Sequence, residues 1–348
     1  MGKERLFYLD FIRAIAVMMI VLTHYNANFI GYNGSAQLSK IVLTEFPFGV
    51  YLGDLGVGLF MLISGSALWY VYGEKKINYF SFYKKRLISI LPMFYIAYAA
   101  AFLVNFWINK GFFTNGISLK YFISTIFGFD TLMNSVGVPS FALVGEWFIG
   151  MIIIIYFLFP LLKGIVSRSD MMSILLSVLI LIIFCLDIFN NNKIWHFLQL
   201  TIGFVPIFVI GMLLQKHIDI FTKKIMFFLS IIILVLNTYF KQNVLPEKFQ
   251  MIYASLAFFV IAVSMSSVFN KNYIIRNIAV IISKYSYPIF LTHHFITNKM
   301  VNHFNIQSIN IGESYILFLT ILPVIFLCSW LLLKFNKKTT LILNSSKM

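Results

Sequence analysis

Residues 9–25 read LDFIRAIAVMMIVLTHY. Most of the stretch is what a lipid-facing helix looks like: Ile, Ala, Val, Met and Leu with no turn-forming residue. Yet Asp10, Arg13 and His24 stand within it, three ionisable side chains in a segment otherwise suited to hydrocarbon. Such groups are costly in a bilayer, so they usually face a cavity, a partner or the headgroups. Their meaning depends on whether the whole chain belongs in a membrane.

Composition answers that. The 348 residues are 60% hydrophobic, 18% aromatic and only 11% charged, with a mean hydropathy of +0.88. These values exclude an ordinary soluble domain. Apolar runs near the roughly 20 residues needed to cross a bilayer recur along the chain. They fall at about 7–26, 49–72, 87–108, 143–163, 171–189, 196–214, 225–240, 250–269, 278–298 and 313–334. A shorter amphipathic stretch at 118–129 (SLKYFISTIFGF) reads as interfacial or re-entrant. The expected fold is an all-α polytopic membrane protein. Residues 1–348 would form one integral-membrane domain of about ten transmembrane helices.

With ten spans, nineteen Lys and Arg fall on the side of the two termini and seven on the other, Arg13 lying inside the first span. The positive-inside rule then assigns both termini to the cytoplasm, in the plasma membrane. The net charge of +15 reflects this topology and contact with anionic headgroups, and calls for no nucleic-acid partner. The first apolar segment lacks a small-residue cleavage site and reads as a retained helix. Cys185 and Cys328 both lie inside apolar spans, which argues against a disulfide or a metal site. Richness in Lys, Ile, Asn and Phe suggests an AT-rich bacterial genome.

On a helix, the eleven-residue step from Arg13 to His24 gives a net rotation of about 20° and a rise of roughly 16 Å. The two residues therefore share a face at different depths. Asp10 precedes Arg13 by three, a spacing that lets them pair. A plain structural reading makes Asp10 and Arg13 a snorkelling interface pair and puts His24 at the outer headgroups. The functional reading is a polar stripe running along one helix. Other polar residues gather at the same depths: Asp54, Glu146, Trp147, His293 and His294 outside, and Lys84, Lys85 and Arg86 inside, directly before the third span. An inner basic cluster suits the phosphates of a soluble anionic donor. An outer group of histidines and carboxylates suits proton removal from a hydroxyl, because imidazole titrates near neutral pH. Proton-coupled transport would use similar parts.

Five stretches carry a resemblance. LDFIRAIAVMMIVLTHY holds an Arg, ten residues and a His. GVGLFMLISGSAL (56–68), FYKKRLISILPMFY (82–95), EWFIGMIIIIYFLFPLL (146–162) and SYPIFLTHHF (286–295) follow in order. Together they resemble the type 3 integral-membrane acyltransferases (acyltransferase family 3), over residues 7 to about 297. One position departs: many members carry a second Arg three residues after the basic cluster, where this chain has Ser89. With no fused extracytoplasmic domain in these 348 residues, the chain resembles the stand-alone type.

The resemblance implies O-acylation, most often O-acetylation, of a capsule, exopolysaccharide or other cell-surface carbohydrate. Cytoplasmic acyl-CoA, typically acetyl-CoA, would be the donor, and no tightly bound cofactor or metal is implied. Lys84, Lys85 and Arg86 would attract the donor phosphates, and Arg13 would line the pantetheine route. His24 would act as general base, with His293 a second candidate. Glu146 would orient the imidazole or bind sugar hydroxyls, and Trp147 would stack on a sugar face. Ser286 and Tyr287 would support the acceptor, and Asp10 would hold Arg13. Ser64 in LISGS reads as a helix-packing residue rather than a nucleophile. A transporter or flippase for a glycan, or a scaffold in polysaccharide assembly, are the alternatives. The scaffold explains the motif order poorly, and against the transporter no halves of matching hydropathy with interrupted helices are visible.

Overall fold

The computed structural model describes residues 5–31, 38–111, 117–186, 192–239 and 246–345, apart from the side chains of Glu146 and of residues 340–345. Ten long helices carry the chain: α1 Phe7–Ile30, α2 Leu52–Tyr72, α3 Tyr79–Ile108, α4 Glu146–Arg168, α5 Asp170–Cys185, α6 Lys193–Lys216, α7 Lys224–Tyr239, α8 Glu247–Phe269, α9 Tyr273–Val301 and α10 Ile311–Ser345. A 3₁₀ turn at Ile202–Phe204 interrupts α6. No strand occurs among the described residues. Helix is the expected answer where no water can pair an exposed amide or carbonyl.

Each of these helices overlaps one apolar stretch read from the sequence, although 49–72 and 143–163 begin before α2 and α4, and 171–189 and 225–240 end outside the described residues. Among the described residues, eight helices are long and apolar enough to cross a membrane, α5 and α7 being the exceptions. Those two have 16 residues each. At 1.5 Å per residue that is about 24 Å, short of a hydrocarbon core of roughly 30 Å. The third helix begins earlier than its apolar run, at Tyr79, where Asn78 Oδ1 accepts the Ser81 amide at 2.9 Å. Lys84, Lys85 and Arg86 therefore ride on α3 instead of preceding it. The 118–129 stretch forms a 3₁₀ turn, Leu119–Tyr121, and a five-residue helix, Phe122–Ile126, too short to span. A second short helix follows at Asp130–Ser135.

The chain divides into two compact units. The first comprises α1, α2, α5, α7 and α8, with α4 from Pro160, α6 from Gly203 and α9 up to Ser286. The second comprises α3 and α10, with α4 up to Phe159, α6 up to Ile202 and α9 from Tyr287.

In the first unit, α2 and α6 touch backbone to backbone through small residues. A Cβ on Gly65 would lie 2.1 Å from the Phe208 carbonyl oxygen, and one on Gly211 would lie 2.3 Å from that of Leu62. Ser66 Oγ donates to the Gly211 carbonyl at 2.8 Å. The Ser-Gly-Ser motif is thus a packing device, carried by Gly65 and Ser66, as expected where helices associate by close approach.

In the second unit, tyrosine hydroxyls tie α3 to its neighbours. Tyr98 donates to the Phe141 carbonyl at 2.8 Å, Tyr83 to Phe157 at 3.0 Å, and Tyr287 of α9 to Ile90 at 2.9 Å. Around the short helices, Asp130 is fully buried and its Oδ1 accepts from Ser124 Oγ, Thr125 Oγ1 and the Phe141 amide. Burial raises its pKa, and these three bonds oppose the rise.

A substitution pair tests the α2–α6 contact. Gly65→Val should abolish recovery of folded, monodisperse protein in size-exclusion chromatography. Gly164→Ala, where no atom lies within 4 Å of the added methyl group, should leave it unchanged or raise the melting temperature.

Candidate functional site

In the first unit, the chemistry gathers on α1. Asp10 is 4% exposed, yet its carboxylate is crowded with donors. Arg5 grips it with two nitrogens, Nη2 reaching Oδ1 at 2.9 Å and Nε bonding Oδ2. Ser283 Oγ of α9 donates to Oδ1 at 2.6 Å. Arg13 Nη1 stands 3.6 Å from the same Oδ1 and 3.4 Å from Ser283 Oγ. The expected Asp10–Arg13 pairing is present, as one edge of a four-residue cluster. A buried carboxylate with several donors is the arrangement that low-dielectric surroundings require.

Arg5 and Ser283 were not legible as site residues. Arg5 precedes the apolar run and reads as a topology charge. Ser283 is one serine among several on α9, and only the docking of α9 against α1 brings it to Asp10.

His24 lies on the same unbroken helix, one face and three turns from Arg13. Its side chain is half-buried, and its backbone carbonyl accepts from Asn28 Nδ2 at 2.8 Å. On either side, α1 is clamped. Thr23 Oγ1 donates to Glu45 Oε1 at 2.5 Å and Asn26 Nδ2 to Glu45 Oε2 at 2.9 Å. Asn26 also exchanges bonds with the backbone of Val42, Nδ2 to the carbonyl at 3.1 Å and Oδ1 from the amide at 2.9 Å. Glu45 is 2% exposed, and burial raises its pKa, while the bonds from Thr23 and Asn26 oppose the rise. Sequence reading missed Glu45, because a lone acid in a loop gives no sign of being buried.

The clamp continues outward from this loop. Asn237 Nδ2 of α7 donates to the Phe48 carbonyl at 2.7 Å and Gln250 Nε2 of α8 to that of Gly49 at 3.2 Å. Gly49 has φ +74°, and a Cβ there would meet the Asn237 carbonyl oxygen at 3.0 Å. Asp54, in the first turn of α2, lies within electrostatic reach of Glu247 and Lys248. Lys248 Nζ sits 5.3 Å from the Phe184 ring centre and 5.9 Å from that of Phe204.

The second unit holds the other expected residues. Lys84 and Lys85 are exposed on α3. Arg86 differs: its guanidinium stands 5.8 Å from the Phe82 ring and 5.9 Å from the Tyr156 ring. Ser89 Oγ donates to the Arg86 carbonyl at 2.7 Å and offers no charge in place of a second arginine.

His293 is 1% exposed. Its Nδ1 donates to the carbonyls of Phe290 at 2.8 Å and Ile289 at 3.1 Å, which places a proton on Nδ1. An aromatic run joins it to α4: Trp147 to Phe148 at 6.0 Å, Phe148 to Phe290 at 4.9 Å, and Phe290 to His293 at 5.7 Å between ring centres. Trp147 and His293 are therefore parts of one assembly in this unit. Ser286 is buried on α9 in the first unit, and the Tyr287 hydroxyl is committed to α3 as described. Glu146 opens α4, and its side chain lies outside the described residues. No group of three or more His, Cys, Asp or Glu with metal-binding geometry occurs among the described residues.

This is a multi-pass helical membrane protein with one helix bearing an arginine beside a buried carboxylate and, further along, a histidine. The family model of the acyltransferase domain, acyltransferase family 3, matches residues 6–334, and the chain belongs to that family. It is accordingly a membrane acyltransferase. No curated protein and no solved structure matches the chain.

The Glu45 clamp has a measurable pH signature. A carboxyl whose folded pKa is raised stabilises fully below its ordinary value of 4.5, and that contribution is lost as pH rises through the raised value. Thermal stability should fall along that limb, and Glu45→Gln should flatten it. Glu45→Ala, which strands Thr23 and Asn26 in the interior, should cost about 1–3 kcal/mol.

Proposed function

We propose that the protein transfers an acyl group, acetyl in the simplest case, from cytoplasmic acyl-CoA to a hydroxyl of a cell-surface or exported carbohydrate. Membership of acyltransferase family 3 supports the reaction class. The observation that carries the residue roles is α1 itself, a single unbroken helix with Arg13 near one end and His24 near the other. Both termini are taken as cytoplasmic, on the excess of Lys and Arg on that side. The Arg13 end then faces the donor and the His24 end the acceptor.

In this reading the His24 imidazole takes the proton of the acceptor hydroxyl as its oxygen attacks the thioester carbonyl. The carbon–oxygen bond forms, the carbon–sulfur bond breaks, and the proton passes to the departing CoA thiolate. The products are an ester and free CoA. Arg13, oriented by Asp10 and Ser283, presents a cation to the donor. Lys84 and Lys85 are exposed and supply the charge that attracts donor phosphates. Arg86 is held by its two rings and supports α3. In the second unit, the aromatic assembly of His293 and Trp147 is assigned to acceptor contact.

His24→Ala and Arg13→Ala should each reduce acylated glycan, measured by mass spectrometry, by roughly 10²-fold or more with normal membrane insertion. Normal product from His24→Ala would remove the base role. Purified protein that fails to consume radiolabelled acyl-CoA, yet moves glycan across liposomes, would replace transfer with transport. Replacing Lys84 and Lys85 together with Gln should raise KM for acyl-CoA about tenfold and leave kcat unchanged.

A further inference from the structure

Within the second unit, α3, α9 and α10 line a half-open cavity of about 470 Å³. Ala97, Ala100 and Ala101 of α3 leave the space open, and Phe295, Ile296 and Leu332 close it from the other helices. Thr292 also lines it, but its hydroxyl is engaged by the Pro288 carbonyl at 2.9 Å and by Ser329 Oγ at 3.0 Å. The wall therefore asks for an apolar occupant. A water in such a space would find too few polar partners, and an empty space would forfeit dispersion contacts along the wall.

Three quantities narrow the occupant. At about 30 Å³ for a group the size of a water molecule, the volume has room for roughly fifteen methylene-sized groups, the size of one lipid chain. The α3 wall runs from Ile96 to Ile108, about 18 Å along the axis, close to the roughly 15 Å of hydrocarbon in one leaflet. The three lining helices are also the least buried of the candidate spans, at 33%, 39% and 28% for α3, α9 and α10. Their uncovered faces are where bilayer lipid arrives.

Charge gives the orientation. Lys299, in the last turn of α9, is the cation among the lining residues, its Nζ 5.6 Å from the Phe295 ring centre. We propose that this cavity binds one acyl chain of an anionic membrane phospholipid, with the headgroup phosphate paired to Lys299. Thr292 on the cavity wall adjoins His293, so an occupied cavity braces the segment of α9 that carries the histidine. The site is independent of the acyl-transfer reading, and its test measures lipid binding alone.

The full chain is reconstituted in nanodiscs with phosphatidylglycerol bearing a photoreactive diazirine on one acyl chain. Labelling should concentrate on peptides of α3, α9 and α10, and Ala100→Trp should lower it at least about tenfold. Should that variant fail to fold, Leu332→Trp fills the same space from α10. Lys299→Gln should preserve labelling while bringing phosphatidylglycerol and phosphatidylcholine to near parity. Labelling spread over all helices in proportion to lipid exposure would overturn the proposal. So would labelling unchanged by either tryptophan, or competition by a polyprenyl phosphate in preference to phosphatidylglycerol.

Discussion

In hydrocarbon, an unpaired backbone amide or carbonyl costs several kcal/mol, and that constraint shapes the whole molecule. It turns each apolar stretch into a helix whose main chain satisfies itself. It also decides how helices meet. Lipid tails are as apolar as leucine, so burial of apolar surface drives association weakly, and close contact must do the work. Gly65 and Gly211 allow α2 and α6 to meet with backbone atoms in contact, and Ser66 adds a hydrogen bond across the join. In the second unit the same need is met differently, by tyrosine hydroxyls that reach neighbouring carbonyls.

Against that background, the two buried carboxylates beside α1 are densely partnered. Asp10 draws Arg5, Arg13 and Ser283 to one carboxylate, and Glu45 draws Thr23 and Asn26. Each cluster fastens one end of α1. The two residues proposed for chemistry, Arg13 and His24, sit beside these anchors and inherit their rigidity. A helix pinned at both ends holds its side chains at a fixed separation, which is what a donor site and an acceptor site at different depths require.

Much of this was legible in the chain alone. Hydropathy located the helices, because a run of about 20 apolar residues has few other fates. The three-residue step from Asp10 to Arg13 foretold their pairing, since helical spacing is local geometry. The helix start at Tyr79 was less visible: polar and basic residues extend a helix past its apolar run without altering hydropathy. Residues such as Lys84 and Arg86 also look alike in sequence, yet one is exposed and the other lies against two aromatic rings.

The sequence by itself determined the membrane class, the helical fold, the family and the Asp10–Arg13 contact, because all of these rest on composition, local periodicity or ordered motifs. Only the tertiary structure decided that Arg5 and Ser283 complete the Asp10 cluster and that Glu45 is buried against α1. It likewise decided that Trp147 and His293 belong to one aromatic assembly, and that three alanines of α3 open onto a lipid-sized cavity. The physical reason is common to them all. These contacts join residues far apart in the chain, and which faces meet is fixed by how helices pack, a property no local stretch encodes.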